Sequence, residues 1–293
     1  MAAAIGAYSI WGLFPAFWPL LAPAVHMIRC ASTSTGTAVL MVAVISVTRG
    51  WSQLRALRPR GWAMVAAAGT LITVNWGLYI YAVFAGHVVE AALGYFVSPL
   101  VSVLLGVAVL GERLRRVQWV AVGLGAAAVV VITIEAGQLP FIALGLASSF
   151  GVYGLLKSMI QLSASAGVTA ESLVLAPFAI ATVVAFEVSG AGTLTGHGVG
   201  HVLLLVVSGP VTAVPLMLYG AAARRVPLST IGVLMYLNPI LQFVWGVLVV
   251  GEAMPPTRWI GFVLVWVALA VFTVDLVRAG RKAHTATKVT VTT

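Results

Sequence analysis

Charge is scarce in this sequence. Only 8% of its 293 residues are Asp, Glu, Lys or Arg, 61% are hydrophobic, and the mean hydropathy is +1.09. Too little polar surface remains to cover a soluble particle, so the solvent for most of the chain is lipid. A single cysteine, Cys30, excludes an internal disulfide and a cysteine cage for a metal. No phosphate-cradling glycine loop is present, so ATP is not expected as an energy source. Long polar loops are also missing, which argues against a soluble catalytic or nucleotide-binding domain. The apolar runs lack the polar/apolar alternation of barrel strands, and lipid obliges a backbone to satisfy its own hydrogen bonds, so each run reads as a helix. No basic residue precedes the first apolar run, which reads as a retained first helix.

What is present is ten apolar stretches. They fall near residues 2–22, 35–48, 62–84, 89–110, 117–135, 141–160, 170–189, 201–223, 228–250 and 258–277. Most approach the ~20 residues that cross a ~30 Å hydrocarbon core. If the N-terminus is cytoplasmic, the loops on that side carry Arg49, Arg55, Arg58, Arg60, Arg113, Arg115, Arg116, Lys157, Arg224, Arg225, Arg278, Arg281, Lys282 and Lys288. The other side keeps Arg29 and Arg258. The positive-inside rule therefore predicts cytoplasmic N- and C-termini and makes the +9 net charge topological. No basic helix with interleaved aromatics points to nucleic acid. The polar, basic stretch 279–293 is expected to be disordered.

The chain also repeats itself. An offset of 140 residues superposes Gly111-Glu112 on Gly251-Glu252, Pro99 on Pro239, Trp119 on Trp259 and Tyr79 on Tyr219. Ten spans divided into five and five, residues 1–138 and 139–278, force the second copy to enter the membrane upside down. The expected fold is all-α and integral to the membrane, ten helices in two inverted five-helix repeats, the architecture of many alternating-access carriers.

Several runs then become familiar. Asn75-Trp76, the stretch Glu90-Ala91-Ala92-Leu93-Gly94-Tyr95-Phe96 with Pro99, Gly111-Glu112-Arg113 and Gln118-Trp119 resemble the RarD-like branch of the EamA group of drug/metabolite transporters. Tyr153-Gly154-Leu155, Glu171 with Pro177, Val211 to Leu216 and Gly251-Glu252 extend the likeness through the second half. The resemblance implies two EamA repeats in the plasma (inner) membrane, moving small metabolites or drugs, usually outward. Residues 25–37 depart from the pattern. Where such chains carry an acid followed by His-Arg and an aromatic, this one has His26, Arg29, Cys30 and a Ser/Thr/Gly run.

Polar groups inside apolar spans are the candidate site, because hydrocarbon makes them costly unless they meet a partner or a ligand. Glu90 near the end of helix four is the leading cavity acid, and Glu90 and Glu171 are the proton-coupling candidates; each could equally serve as a helix-end carboxylate. Asn75 and Trp76 lie mid-helix, lining a cavity or joining helices. Tyr79, Tyr95, Tyr153, Tyr236 and Trp11 could form an aromatic wall. Lys157 either snorkels to the surface or binds an anion. Gly94, Pro99, Pro215, Asn238 and Pro239 mark helix breaks, as hinges or as static kinks. Gly111 and Gly251 read as helix C-caps, and Glu135, Glu187 and Arg258 as solvated. Gly123, Gly125 and Ala126 to Ala128 read as close-packing residues, within the chain or across a homodimer.

The function expected is secondary transport of a small organic solute, amino-acid-like or amphenicol-like, driven by protons or exchange. A membrane enzyme would need converging titratable groups, and His26, His87, His197, His201 and His284 are scattered, so neither catalysis nor a cofactor or metal is expected. A non-transporting sensor or assembly subunit remains the rival.

Overall fold

A computed structural model describes residues 2–24, 26–111, 113–194, 197–223 and 234–291. The described residues are helical, with no strand among them. In chain order the helices are α1 (Ala2–Gly12), α2 (Phe14–Phe17, extended by a 3₁₀ turn Trp18–Leu21), α3 (His26–Val47), α4 (Trp51–Arg55) and α5 (Pro59–Phe84). Then follow α6 (Val88–Leu110), α7 (Arg116–Ala136), α8 (Phe141–Met159) and α9 (Ala164–Val188). The last three are α10 (Gly198–Ala223), α11 (Leu237–Trp245, continued by a π turn Gly246–Val250) and α12 (Pro256–Val291).

Among the described residues eight helices are long and apolar enough to cross a membrane, and the pair α1 and α2, bent by 45°, meets the same criterion when taken as one span. Leu237–Val250 is apolar but shorter; the expected ninth span also takes in residues 228–233, which lie outside the described set. Large apolar side chains stay bare on the surface, among them Phe178, Ile134, Leu248 and Val199. In water such a surface would aggregate; in lipid it is already solvated.

Helix ends follow local chemistry. Gly111 and Gly251 close α6 and the π turn with φ of 68° and 75°, a left-handed conformation that glycine adopts without a Cβ penalty. Both were expected as C-caps. Pro59 opens α5 at its first position, where a missing N–H costs nothing. The second span begins nine residues earlier than the sequence suggests, at His26 rather than at 35. Its Ser/Thr run is kept helical by hydroxyls returning to the preceding turn, as when Thr35 Oγ1 donates to Ala31 O at 2.8 Å. The last helix continues through the tail to Val291. Extending a helix already nucleated adds one hydrogen bond per residue without a new nucleation cost.

The principal packing pairs are α6 with α8, α7 with α12, α3 with α9, α3 with α10, α5 with α8, α1 with α10, α6 with α11, α1 with α11 and α5 with α9. Gly94 lets α6 approach α8 so closely that a Cβ there would lie 2.8 Å from Ala143 O. Gly36 and Gly209 do the same for α3 and α10, backbone against backbone. Thr33 Oγ1 donates to Ser208 Oγ at 2.9 Å across that seam. The atypical segment is therefore a packed part of the bundle.

Candidate functional site

Polar side chains meet inside the bundle in two places. The first lies between α5, α6 and α8. Asn75 Nδ2 donates to Leu146 O at 3.0 Å and to Ser149 Oγ at 2.9 Å, and Tyr95 OH donates to Asn75 Oδ1 at 3.1 Å. Every polar atom of this buried amide is thus used within the protein. The Tyr79 ring stands 5.8 Å from that of Tyr95, and its buried hydroxyl has no hydrogen-bond partner. Trp76, one residue beyond Asn75, packs edge-on against Phe14 and Trp18 at 5.6 and 6.0 Å.

The second lies between α8 and α9. Lys157 Nζ donates to Glu171 Oε1 at 2.7 Å and Tyr153 OH donates to Oε2 at 3.3 Å. Lys157 is thus neither a snorkelling cation nor a free anion receptor: its ammonium faces a carboxylate that is itself 5% exposed. Gly167 leaves the space, since a Cβ there would lie 2.8 Å from Nζ. Phe150 joins the two places, its ring 6.1 Å from Tyr95 on one side and 6.1 Å from Tyr153 on the other.

Glu90 belongs to neither. Its Oε1 accepts from the N–H of Ile142 at 3.1 Å and of Ala143 at 3.4 Å, so it caps α8 from α6. Glu252 acts likewise on α6, both its oxygens accepting from Val89 N at 3.0 and 3.1 Å through the gap left by Gly246. Both carboxylates line one cavity of about 410 Å³ with Tyr81, His87, Gln138 and Arg258. Burial pushes the Glu252 carboxyl up from its ordinary range, and hydrogen bonds from Val89 and Val88 with the charges of His87 and Arg258 pull it part of the way back.

The remaining expected cavity residues lie apart. Tyr236 lies beside Thr273 in an apolar groove of about 520 Å³ also lined by Phe96, Phe243 and Trp266. Trp11 packs on Tyr8 at 5.7 Å, and its carbonyl receives Gln242 Nε2 at 3.5 Å. Of the expected breaks, Pro99 and Pro215 lie inside α6 and α10, and Asn238 and Pro239 occupy the first turn of α11. Asn238 Oδ1 accepts from Gln242 Nε2 at 2.8 Å. Glu135 and Arg258, expected to be solvated, form an ion pair at 3.4 Å, and Glu187 accepts from Leu194 N at 2.7 Å. Gly125 packs on Leu100 of its own chain, while Gly123 has open space. Among the described residues no group of three His, Cys, Asp or Glu could hold a metal.

Residues left out of the sequence reading include Ser149, Trp18 and Gln242, and Arg29 was read only as a loop cation. Gln242 is buried four positions from Asn238 on α11, an i,i+4 polar pair visible in the sequence. Arg29 is buried in the first turn of α3.

Relatives fix what kind of protein carries this arrangement. Residues 1–134 match the EamA-like transporter family. The protein RarD of Streptomyces exfoliatus is 48% identical over 281 residues, covering 95% of this chain and 89% of that one. The chain belongs to the EamA-like transporter family. RarD of Escherichia coli K12 is 39% identical over 285 residues, with 95% of each chain covered. A crystal structure of a protein superposes with a TM-score of 0.62 at 21% identity, covering 95% of this chain and 97% of that one, which establishes a shared fold. The protein is a multi-pass membrane transporter of the drug/metabolite superfamily.

Proposed function

We propose that this transporter is a secondary-active carrier of a small organic solute, built from ten spans in two inverted repeats and working by alternating access in the inner membrane. The observation that carries the reading is the pattern of helix contacts. Let the bent pair α1–α2, α3, α5, α6 and α7 form one half, and α8 to α12 the other. Exchanging the halves turns α6–α8 into α1–α11, α5–α8 into α1–α10, and α3–α10 into α5–α9, and it leaves α3–α9, α6–α11 and α7–α12 unchanged; all nine pairs occur. Two halves with interchangeable contacts can exchange conformations, which opens the centre alternately to each side.

The cargo path is assigned to the polar and aromatic ladder Asn75, Tyr79, Tyr95, Phe150 and Tyr153, with Trp76 beside it, and the coupling group to Glu171. Its carboxylate sits in the membrane against Lys157, where binding or losing a proton would break or restore a buried ion pair. Glu90, holding the start of α8, is the second coupling candidate. A proton gradient or solute exchange supplies the energy, and the movement is outward. The relatives' transporter family supports this reading.

The test is solute-dependent proton movement in liposomes holding the purified chain, screened with amino acids, amphenicols and central metabolites. Wild type should move protons with at least one solute. Glu171→Gln should bind that solute and leave protons behind; if Glu90→Gln does so instead, the coupling role passes to Glu90. Absence of both proton movement and radiolabelled exchange across the panel would reject the carrier reading.

A further inference from the structure

Among the described residues, Arg29 is a buried cation without an ion pair. It stands in the first turn of α3, 5% exposed, with its guanidinium carbon 3.5 Å over the centre of the Phe84 ring. Its Nε and Nη1 donors have no hydrogen-bond acceptor. The three ion pairs among the described residues engage Arg115, Lys157 and Arg258. Ser32, one helical turn along the same face, also has a buried hydroxyl without a partner. The nearby His201 adds no negative charge to this corner, because an imidazole is neutral or cationic, and its Nε2 is engaged with Thr193 Oγ1 at 2.9 Å.

Removing a guanidinium from water without an anion is costly, and an aromatic face returns only part of that cost. The other membrane-buried cation, Lys157, has its carboxylate; Arg29 has a π face and vacant donors. A guanidinium and a hydroxyl on one helix face form a donor set for an oxyanion, and Arg suits planar carboxylates better than Lys does.

We propose that Arg29, with Ser32, is an oxyanion subsite of this transporter, so that its cargo carries a carboxylate. Naming the cargo rests on the transport reading above; the oxyanion binding does not. The same donors would hold the phosphate of an anionic lipid headgroup, and the experiment separates the two sources.

The full chain is placed in phosphatidylcholine nanodiscs and its thermal unfolding followed with benzoate, with benzamide as the neutral isostere, and with inorganic phosphate. Benzoate should raise the melting temperature and benzamide should not. The benzoate response should weaken about tenfold in Arg29→Lys, which keeps the charge and loses the planar donors, and vanish in Arg29→Gln. In nanodiscs containing phosphatidylglycerol, a higher starting stability that Arg29→Gln lacks, with the benzoate response gone, assigns the oxyanion to the lipid headgroup. Equal responses to benzoate and benzamide in wild type, or an unchanged benzoate affinity in Arg29→Lys, would overturn the proposal. Neither readout depends on whether Arg29→Gln folds. If benzoate binds through Arg29 while no solute moves across liposomes, the subsite stands and the carrier reading falls.

Discussion

Asn75 illustrates what a lone amide in hydrocarbon has to do. Its side chain closes a three-helix junction, donating twice into α8 and accepting once from α6. Asn75→Leu keeps the volume but strands the Tyr95 hydroxyl, and unfolding in detergent should show a loss of about 1–3 kcal/mol. Tyr95→Phe should cost less, about 1 kcal/mol, because only one hydrogen bond is lost. Glu252 gives a different residue-level prediction. Its folded-state pKa is raised above the ordinary value near 4.5, so the stability it contributes is present in full at more acidic pH and declines as pH rises through the folded value. Glu252→Gln should flatten that decline, read as melting temperature against pH from about 4 upward. The importance of Asn75 was legible in the sequence because an amide in an apolar run has few alternatives. The cap made by Glu252 was not, because its partner Val89 lies 163 positions away.

At the scale of elements, the ion pair between α8 and α9 binds consecutive helices at the turn that joins them. Breaking such a pair from one side leaves a buried charge, so Lys157→Met should destabilise the protein by about 3–5 kcal/mol. Lys157→Met with Glu171→Leu should recover most of that stability, since two apolar side chains replace two desolvated ions. Thermal unfolding of wild type, Lys157→Met, Glu171→Leu and the double variant gives the coupling directly. A double variant as unstable as Lys157→Met would mean that the pair does not account for the loss. The sequence displayed both charges yet not their meeting, because each helix end taken alone offers its charge to water or to a headgroup. Only the bend between Met159 and Ala164 turns the two side chains toward each other. The eight long apolar helices were legible from hydropathy. The early start of α3 was not, because its Ser/Thr run lowers hydropathy while its hydroxyls quietly satisfy themselves within the helix.

For the whole molecule, the 140-residue offset and the exchangeable contacts make one claim that labelling can settle. Inverted halves put equivalent loops on opposite faces; parallel halves would put them on the same face. Arg113 follows the C-cap of α6 and Ala253 follows that of the π turn, each exposed and 140 positions apart. Directions of the helices agree with this separation. The ion pair of Arg115 with Asp275 at 2.8 Å brings the far part of α12 to the start of α7, so Ala253, before α12 begins, lies at the other end of the bundle. In a Cys30→Ala background, a membrane-impermeant maleimide applied to intact cells should label Ala253→Cys and spare Arg113→Cys until the membrane is opened. The cation count predicts a cytoplasmic Arg113 loop. Labelling of both positions from outside would make the halves parallel, and the contact symmetry would then reflect helix packing alone instead of two interconvertible orientations of one module.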